Sequence, residues 1–208
     1  MSDFFDNVDR IEYEGPASTN PLAFRWYQPD RVVGDRTMAE HLRFGVCYWH
    51  SFSWDGFDIF GAGTLDRPWH PNVAPDLDPM TAARMKMDAA FEFFSKLGTP
   101  YFSFHDIDIA PAGATFAETC RYLDEMVDYA AQKMDETGVQ LLWGTTNAFS
   151  HPRFMSARRP TPTPTCSAAR RRRNRALHAE DPRTRRVELR AVGRSRGLRD
   201  PAQHRHDT

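Results

Sequence analysis

The sequence predicts an α/β fold built from parallel βα units, on two observations. Short β-favouring runs alternate with segments of helical periodicity in the order strand, helix, strand, helix, strand. His105 and Thr145 then fall where the second and third of these strands end, which is where a (β/α)8 barrel keeps its chemistry. The expected architecture is the N-terminal part of such a barrel, about three βα units, followed by an Arg-rich tail outside the fold.

Taken in order, residues 1–42 read as an N-terminal extension. Turn-rich stretches such as Glu14-Gly15-Pro16-Ala17-Ser18-Thr19-Asn20-Pro21 dominate it, and Trp26 and Tyr27 are expected to pack it onto the larger body. Residues 42–49 form a short β-favouring run that fits a first strand, and residues 50–75 a long loop rich in Trp, Phe, Gly and Asp. Asp78 and Pro79 supply a cap and a first-turn proline. Met80, Ala83, Met87, Ala90, Phe91, Phe94 and Leu97 then recur at helical spacing until Gly98 and Pro100 stop the run. Residues 101–105 read as a buried strand. Residues 115–137 read as a second helix burying Phe116, Cys120, Leu123, Met126, Val127, Ala130 and Met134, and residues 139–143 as a third strand. The expected divisions are 1–42, a partial barrel over 43–155, and a tail over 156–208.

Composition bounds the function classes. At 208 residues, 40% hydrophobic and 12% aromatic, the chain can bury a core. The acidic start Met1-Ser2-Asp3-Phe4-Phe5-Asp6 is unlike a secretory signal, and the hydrophobic runs are short, so a cytoplasmic protein with no membrane partner is expected. Cys47, Cys120 and Cys166 lie far apart without a Cys-x-x-Cys, which suggests neither a disulfide framework nor a zinc site.

The residues that carry chemistry are His105 and Asp108, three apart after the second strand, with Asp106 between them. A carboxylate beside an imidazole fixes its tautomer and raises its basicity, as moving a proton to or from a substrate oxygen requires. The surrounding string, Phe104-His105-Asp106-Ile107-Asp108-Ile109-Ala110-Pro111-Ala112-Gly113, resembles the signature of the xylose isomerases of the long, class II type at every position. The resemblance extends over residues 11–155. It includes Asn20-Pro21-Leu22-Ala23-Phe24-Arg25, Tyr48-Trp49-His50-Ser51-Phe52-Ser53-Trp54-Asp55-Gly56, Asp58-Ile59-Phe60-Gly61 and Leu142-Trp143-Gly144-Thr145-Thr146-Asn147.

The resemblance implies an aldose-ketose isomerase that opens a cyclic sugar such as D-xylose and shifts a hydride between C1 and C2. It makes His105 the ring-opening histidine and Asp108 the carboxylate that orients it. Trp49 would be a wall of the sugar pocket, Phe60 a residue lent across a subunit interface of a homo-oligomer, and Thr145 a polar contributor near the substrate. Phe52, Trp54 and Trp143 read as core or interface packing, and Asp106 as a loop-capping acid. The family uses two divalent metals, magnesium, manganese or cobalt, held by carboxylates of later strands. No arrangement resembling those ligands occurs in this chain, so it is expected to be inactive alone.

The tail has a different composition. Residues 157–208 hold 15 Arg, no Lys and five acids, whereas residues 1–156 hold 12 basic and 23 acidic residues. Arg170-Arg171-Arg172-Arg173 could mark a disordered linker or a nucleic-acid-binding segment. A third reading is a change of reading frame, because Arg, Pro and Ala are what GC-rich DNA encodes out of frame. With a free choice of synonymous codons, residues 188–205 shifted by one base give NYVLWGGREGYETLLNT, and residues 157–167 shifted by two bases give AATNPDPDVF. Both strings resemble segments that the family carries after its third strand. One frame change near Ser156 and another between Ser167 and Glu188 would account for the tail without a function of its own. On that reading nucleic-acid binding is the alternative function, and another metal-using barrel such as an apurinic-site endonuclease is disfavoured by the signature.

Overall fold

A computed structural model describes residues 4–57, 59–61 and 63–147. Asp58, residues 148–155 and the Arg-rich tail with its inferred frame changes lie outside the described residues.

The N-terminal segment is more structured than its turn-rich sequence predicts. Strands β1 (Val32–Val33) and β2 (Arg36–Thr37) form a small antiparallel hairpin, with Gly34 at φ 68 in the left-handed region. Helix α1 (Met38–His41) follows. The Thr37 side chain accepts from the Glu40 amide, and the Glu40 carboxylate accepts from the Thr37 amide at 2.7 Å. Residues 4–11 run along the second helix described below. The Phe4 and Phe5 amides donate to the Glu92 carboxylate at 2.7 and 3.0 Å, and the Ile11 amide donates to the Lys96 carbonyl at 2.7 Å. Tyr27 packs edge-on against Phe24 and Phe44 as expected of it, but Trp26 is 77% exposed and does not anchor the segment.

The βα units follow. Strand β3 (Gly45–Cys47) is shorter than the apolar run suggests, because Trp49–Ser53 winds into a π-helical turn that opens the long loop. Helix α2 (Pro79–Leu97) is capped by Asp78, whose carboxylate accepts from the Thr81 amide, and ends at Gly98 with φ 70. Strand β4 (Tyr101–His105) leads into the one-turn helix α3 (Asp106–Ile109). Helix α4 (Phe116–Thr137), capped by Thr115 and terminated by the left-handed Gly138, leads to strand β5 (Gln140–Thr145).

β3, β4 and β5 form a parallel sheet in chain order, with Gly45 opposite Tyr101 and His105 opposite Thr145. A register shift after Phe102 makes Leu142 an extra residue on β5. Parallel neighbours joined through long helices are what βα units produce, so the predicted class, α/β with a parallel sheet, is observed.

The period-2 alternation of β4 divides its side chains between the two faces of the sheet. Phe102 and Phe104 stack at 5.9 Å and join Phe91 and Phe94 of α2 in the core. Met87 of α2 and Leu123 and Met126 of α4 complete it. Ser103 and His105 alternate onto the opposite face. The periodicity identifies the buried stripes of α2 and α4, although Met80, Leu97, Phe116, Val127 and Met134 are only half-buried.

Gly98 is required by its backbone rather than by space, since a Cβ built there meets nothing closer than the Ile11 carbonyl at 3.8 Å. Gly98→Ala is therefore expected to cost about 1 kcal/mol, the cost of an L-residue in the left-handed region, as read from the midpoint of urea unfolding.

Candidate functional site

The site is built where the strands end. His105 is the last residue of β4 and caps α3. The three-residue spacing returns Asp108 to the start of that turn, where one carboxylate oxygen, Oδ2, accepts from the His105 backbone amide at 2.7 Å and lies 3.0 Å from its Nδ1. A carboxylate can only accept, so the tautomer that satisfies this contact carries its proton on Nδ1 and leaves Nε2 as the unprotonated ring nitrogen. Asp108 is 5% exposed, which holds this geometry away from water.

Trp49, at the start of the π-helical turn after β3, sets its ring 4.7 Å from the His105 imidazole. Trp143 of β5 lies 5.5 Å from Trp49 and 6.1 Å from His105, so two indoles flank one imidazole. Thr145 is beside His105 in the sheet register. The structure thus brings together four of the five residues singled out from the sequence or its resemblance: His105, Asp108, Trp49 and Thr145. Phe60 is 89% exposed on the loop beyond the turn.

The three aromatics expected to pack differ in their placement. Trp143 is half-buried and packs against Trp49 and His105 at the site. It lies two residues before Thr145, and period 2 after the irregularity at Leu142 puts both on one face. Trp54, also expected to pack, is 50% exposed, whereas Phe52 is buried in the core as expected. Asp106 does more than cap its own loop. Its Oδ1 accepts from the Ile107 amide and from the Asn147 amide, both at 2.9 Å, which ties the end of β4 to the residues following β5.

The sequence reading missed a second layer behind His105. Lys86 of α2 reaches the Ser53 hydroxyl at 3.3 Å, and that hydroxyl donates to the Asp108 carbonyl at 3.3 Å. Lys86 also lies 5.8 Å from the ring of Tyr48, a fully buried residue. Burial pushes the Lys86 ammonium down to about 8, with Asp108 pulling the other way. Burial likewise raises the Tyr48 phenol well above its ordinary value, with the charges of Asp108 and Asp88 adding to it. The signal for Lys86 was available, since it sits three residues after Ala83 and four before Ala90, on the apolar stripe of α2.

Lys86 makes stability depend on pH in a definite sense. Its folded value lies below the unfolded one, so between about pH 8 and 10.5 the unfolded chain binds more protons and stability rises with pH through that window. Lys86→Met is expected to remove this contribution, as measured by urea midpoints at pH 7.5 and pH 10.

Among the described residues, no group of three or more His, Cys, Asp or Glu could hold a metal ion. These residues therefore do not fit a two-metal centre. Among the described residues, no helix is long and apolar enough to cross a membrane.

These features define a class first: a parallel βα protein with a carboxylate-oriented histidine at the carboxyl end of a strand, walled by indoles. No protein-family model matches the chain. Curated relatives do. The chain is 56% identical over 170 residues to a xylose isomerase of Mesorhizobium japonicum, covering 81% of this chain and 38% of the relative. It is 55% identical to the xylose isomerase of Agrobacterium fabrum (76% of this chain, 35% of the relative) and 52% identical to that of Photobacterium profundum (78% and 36%). The chain belongs to the xylose isomerase family, an isomerase family that uses divalent metals, and it spans a little over a third of the length of these relatives.

Proposed function

We propose that this chain carries the ring-opening side of an aldose-ketose isomerase site, the reaction of the intact enzyme being D-xylose to D-xylulose. The observation that supports it is the His105–Asp108 pair at the end of β4, facing Trp49, in a chain of this family. Asp108 holds the proton on Nδ1, so that Nε2 takes the proton of the sugar's anomeric hydroxyl and returns one to the ring oxygen as the ring opens. Trp49 excludes water beside the imidazole, and Thr145 supplies a hydroxyl at the same strand level.

On this reading the three-stranded sheet is roughly the first three units of a (β/α)8 barrel, with the free sides of β3 and β5 taken by further strands. The hydride shift needs the carboxylates of later barrel strands, which this chain does not carry, and divalent metals held there would supply the Lewis acid. The exposure of Phe60 and of Ile59 beside it, at 89% and 87%, supports a contact with another subunit of a homo-oligomer. The 208-residue chain by itself is expected to be inactive. Nothing among the described residues favours the nucleic-acid-binding alternative.

The test is a chimera of residues 1–147 with the remaining length of the Mesorhizobium japonicum relative. Supplied with magnesium, manganese or cobalt, it is expected to convert D-xylose to D-xylulose, and the 208-residue chain is expected to show no turnover. A folded chimera without turnover would refute the reading, and turnover by the chain alone would refute the claim that its site is incomplete.

A further inference from the structure

We infer that Lys86 is a positioning residue for the His105–Asp108 pair, acting from behind through Ser53 and through its charge. The inference rests on the proposed reading of His105 as the proton-exchanging group.

The geometry is a chain of contacts across three elements. Lys86 of α2 donates to Ser53 Oγ, at the last position of the π-helical turn, and Ser53 donates to the backbone carbonyl of Asp108 on α3. The carbonyl belongs to the same residue whose carboxylate binds both the amide and Nδ1 of His105. Moving Ser53 would therefore move the carboxylate that sets the imidazole's tautomer. The π-helical turn that presents Ser53 also begins with Trp49, so one short segment carries both the wall of the site and its rear support.

Charge gives Lys86 a second role. The groups facing its ammonium are Asp108 from α3 and the ring of Tyr48, between β3 and the π-helical turn. Asp88 of α2 interacts with Tyr48 but is engaged by the Lys133 ammonium at 2.8 Å and the Tyr129 hydroxyl at 2.7 Å. Asp108 is thus the carboxylate that Lys86 acts upon. A cation behind Asp108 draws on its negative charge and lowers the basicity of the Asp108–imidazole pair. Burying an ammonium here opposes folding, and a purely packing role would be better served by an apolar side chain.

The experiment follows the reactivity of His105 towards diethyl pyrocarbonate, which acylates neutral imidazole, in the full 208-residue chain. Labelling is read by peptide mass mapping as a function of pH, with His70 and His41 as internal controls. In Lys86→Met the pH at which His105 labelling is half-maximal is expected to rise by on the order of half a unit, while Lys86→Arg restores the parent profile. The His70 and His41 profiles should stay unchanged in both variants. An unchanged His105 profile in a folded Lys86→Met chain would overturn the proposal, as would a shift that Lys86→Arg fails to reverse. Should Lys86→Met fail to fold, Lys86→Gln, which removes the charge and keeps a polar side chain, is read in its place. The same rise supports the coupling, and an unchanged His105 profile overturns it. Because no sugar turnover is measured, failure here leaves the isomerase reading intact, and failure of the chimera leaves this coupling measurable.

Discussion

Phe94→Ala is expected to lower stability by about 3–5 kcal/mol, the range for truncating a fully buried aromatic. Phe94 has no exposed surface and is the hinge of the aromatic core, with ring centroids 5.8 Å from Phe52, 5.5 Å from Phe91 and 5.4 Å from Phe102. Each of these neighbours belongs to a different part of the site's support. Phe52 lies in the π-helical turn, Phe91 on α2, and Phe102 on β4. The cavity left by alanine would loosen the turn from the strand, so the Trp49–His105 contact should suffer together with stability. Urea unfolding followed by tryptophan fluorescence reads both effects. A loss under 1 kcal/mol would mean that the rings are not packed as described.

Asp108→Ala is expected to cost about 3 kcal/mol, because it strands two donors that share one oxygen, the His105 amide and Nδ1–H. Asp108→Asn keeps a carbonyl acceptor in the same place and should cost less than half as much. The contrast between the two matters more than either value. It separates loss of the hydrogen bonds from loss of the charge, and urea midpoints of the two variants at pH 7 supply it. Equal losses would argue that the carboxylate does not organise the turn.

How far the sequence revealed this arrangement varied with the locality of the signal. α2 and α4 were legible nearly to the residue, because capping by Asp78 and Thr115 and the apolar stripes at helical spacing are local features. Asp108 was legible for the same reason, three residues from its histidine. Its pairing with Nδ1 is a consequence of a single turn of chain. Trp49 and Thr145 entered through resemblance, since nothing local marks an indole or a hydroxyl as facing a distant imidazole. The first strand was overdrawn, because an aromatic-rich run at residues 48–54 satisfies β propensity and a π-helical turn alike, and tertiary packing of Phe52 decides between them. Lys86 stands on the apolar stripe of α2, but that local signal was outweighed by its own chemistry. A lysine is expected at the surface of a helix, and its inward placement depends on Ser53 and Asp108, which lie 33 residues before and 22 after it in the chain.

The central claim is that His105, held by Asp108, moves the proton that opens the sugar ring. Its most direct test is kcat/KM for D-xylose in the chimera of residues 1–147 with the rest of the Mesorhizobium japonicum relative, compared with the same chimera bearing His105→Gln. General acid-base catalysis by a positioned histidine predicts a fall of about 10²–10⁴-fold with the fold intact. A His105→Gln chimera that folds and works within twofold of its parent would contradict it.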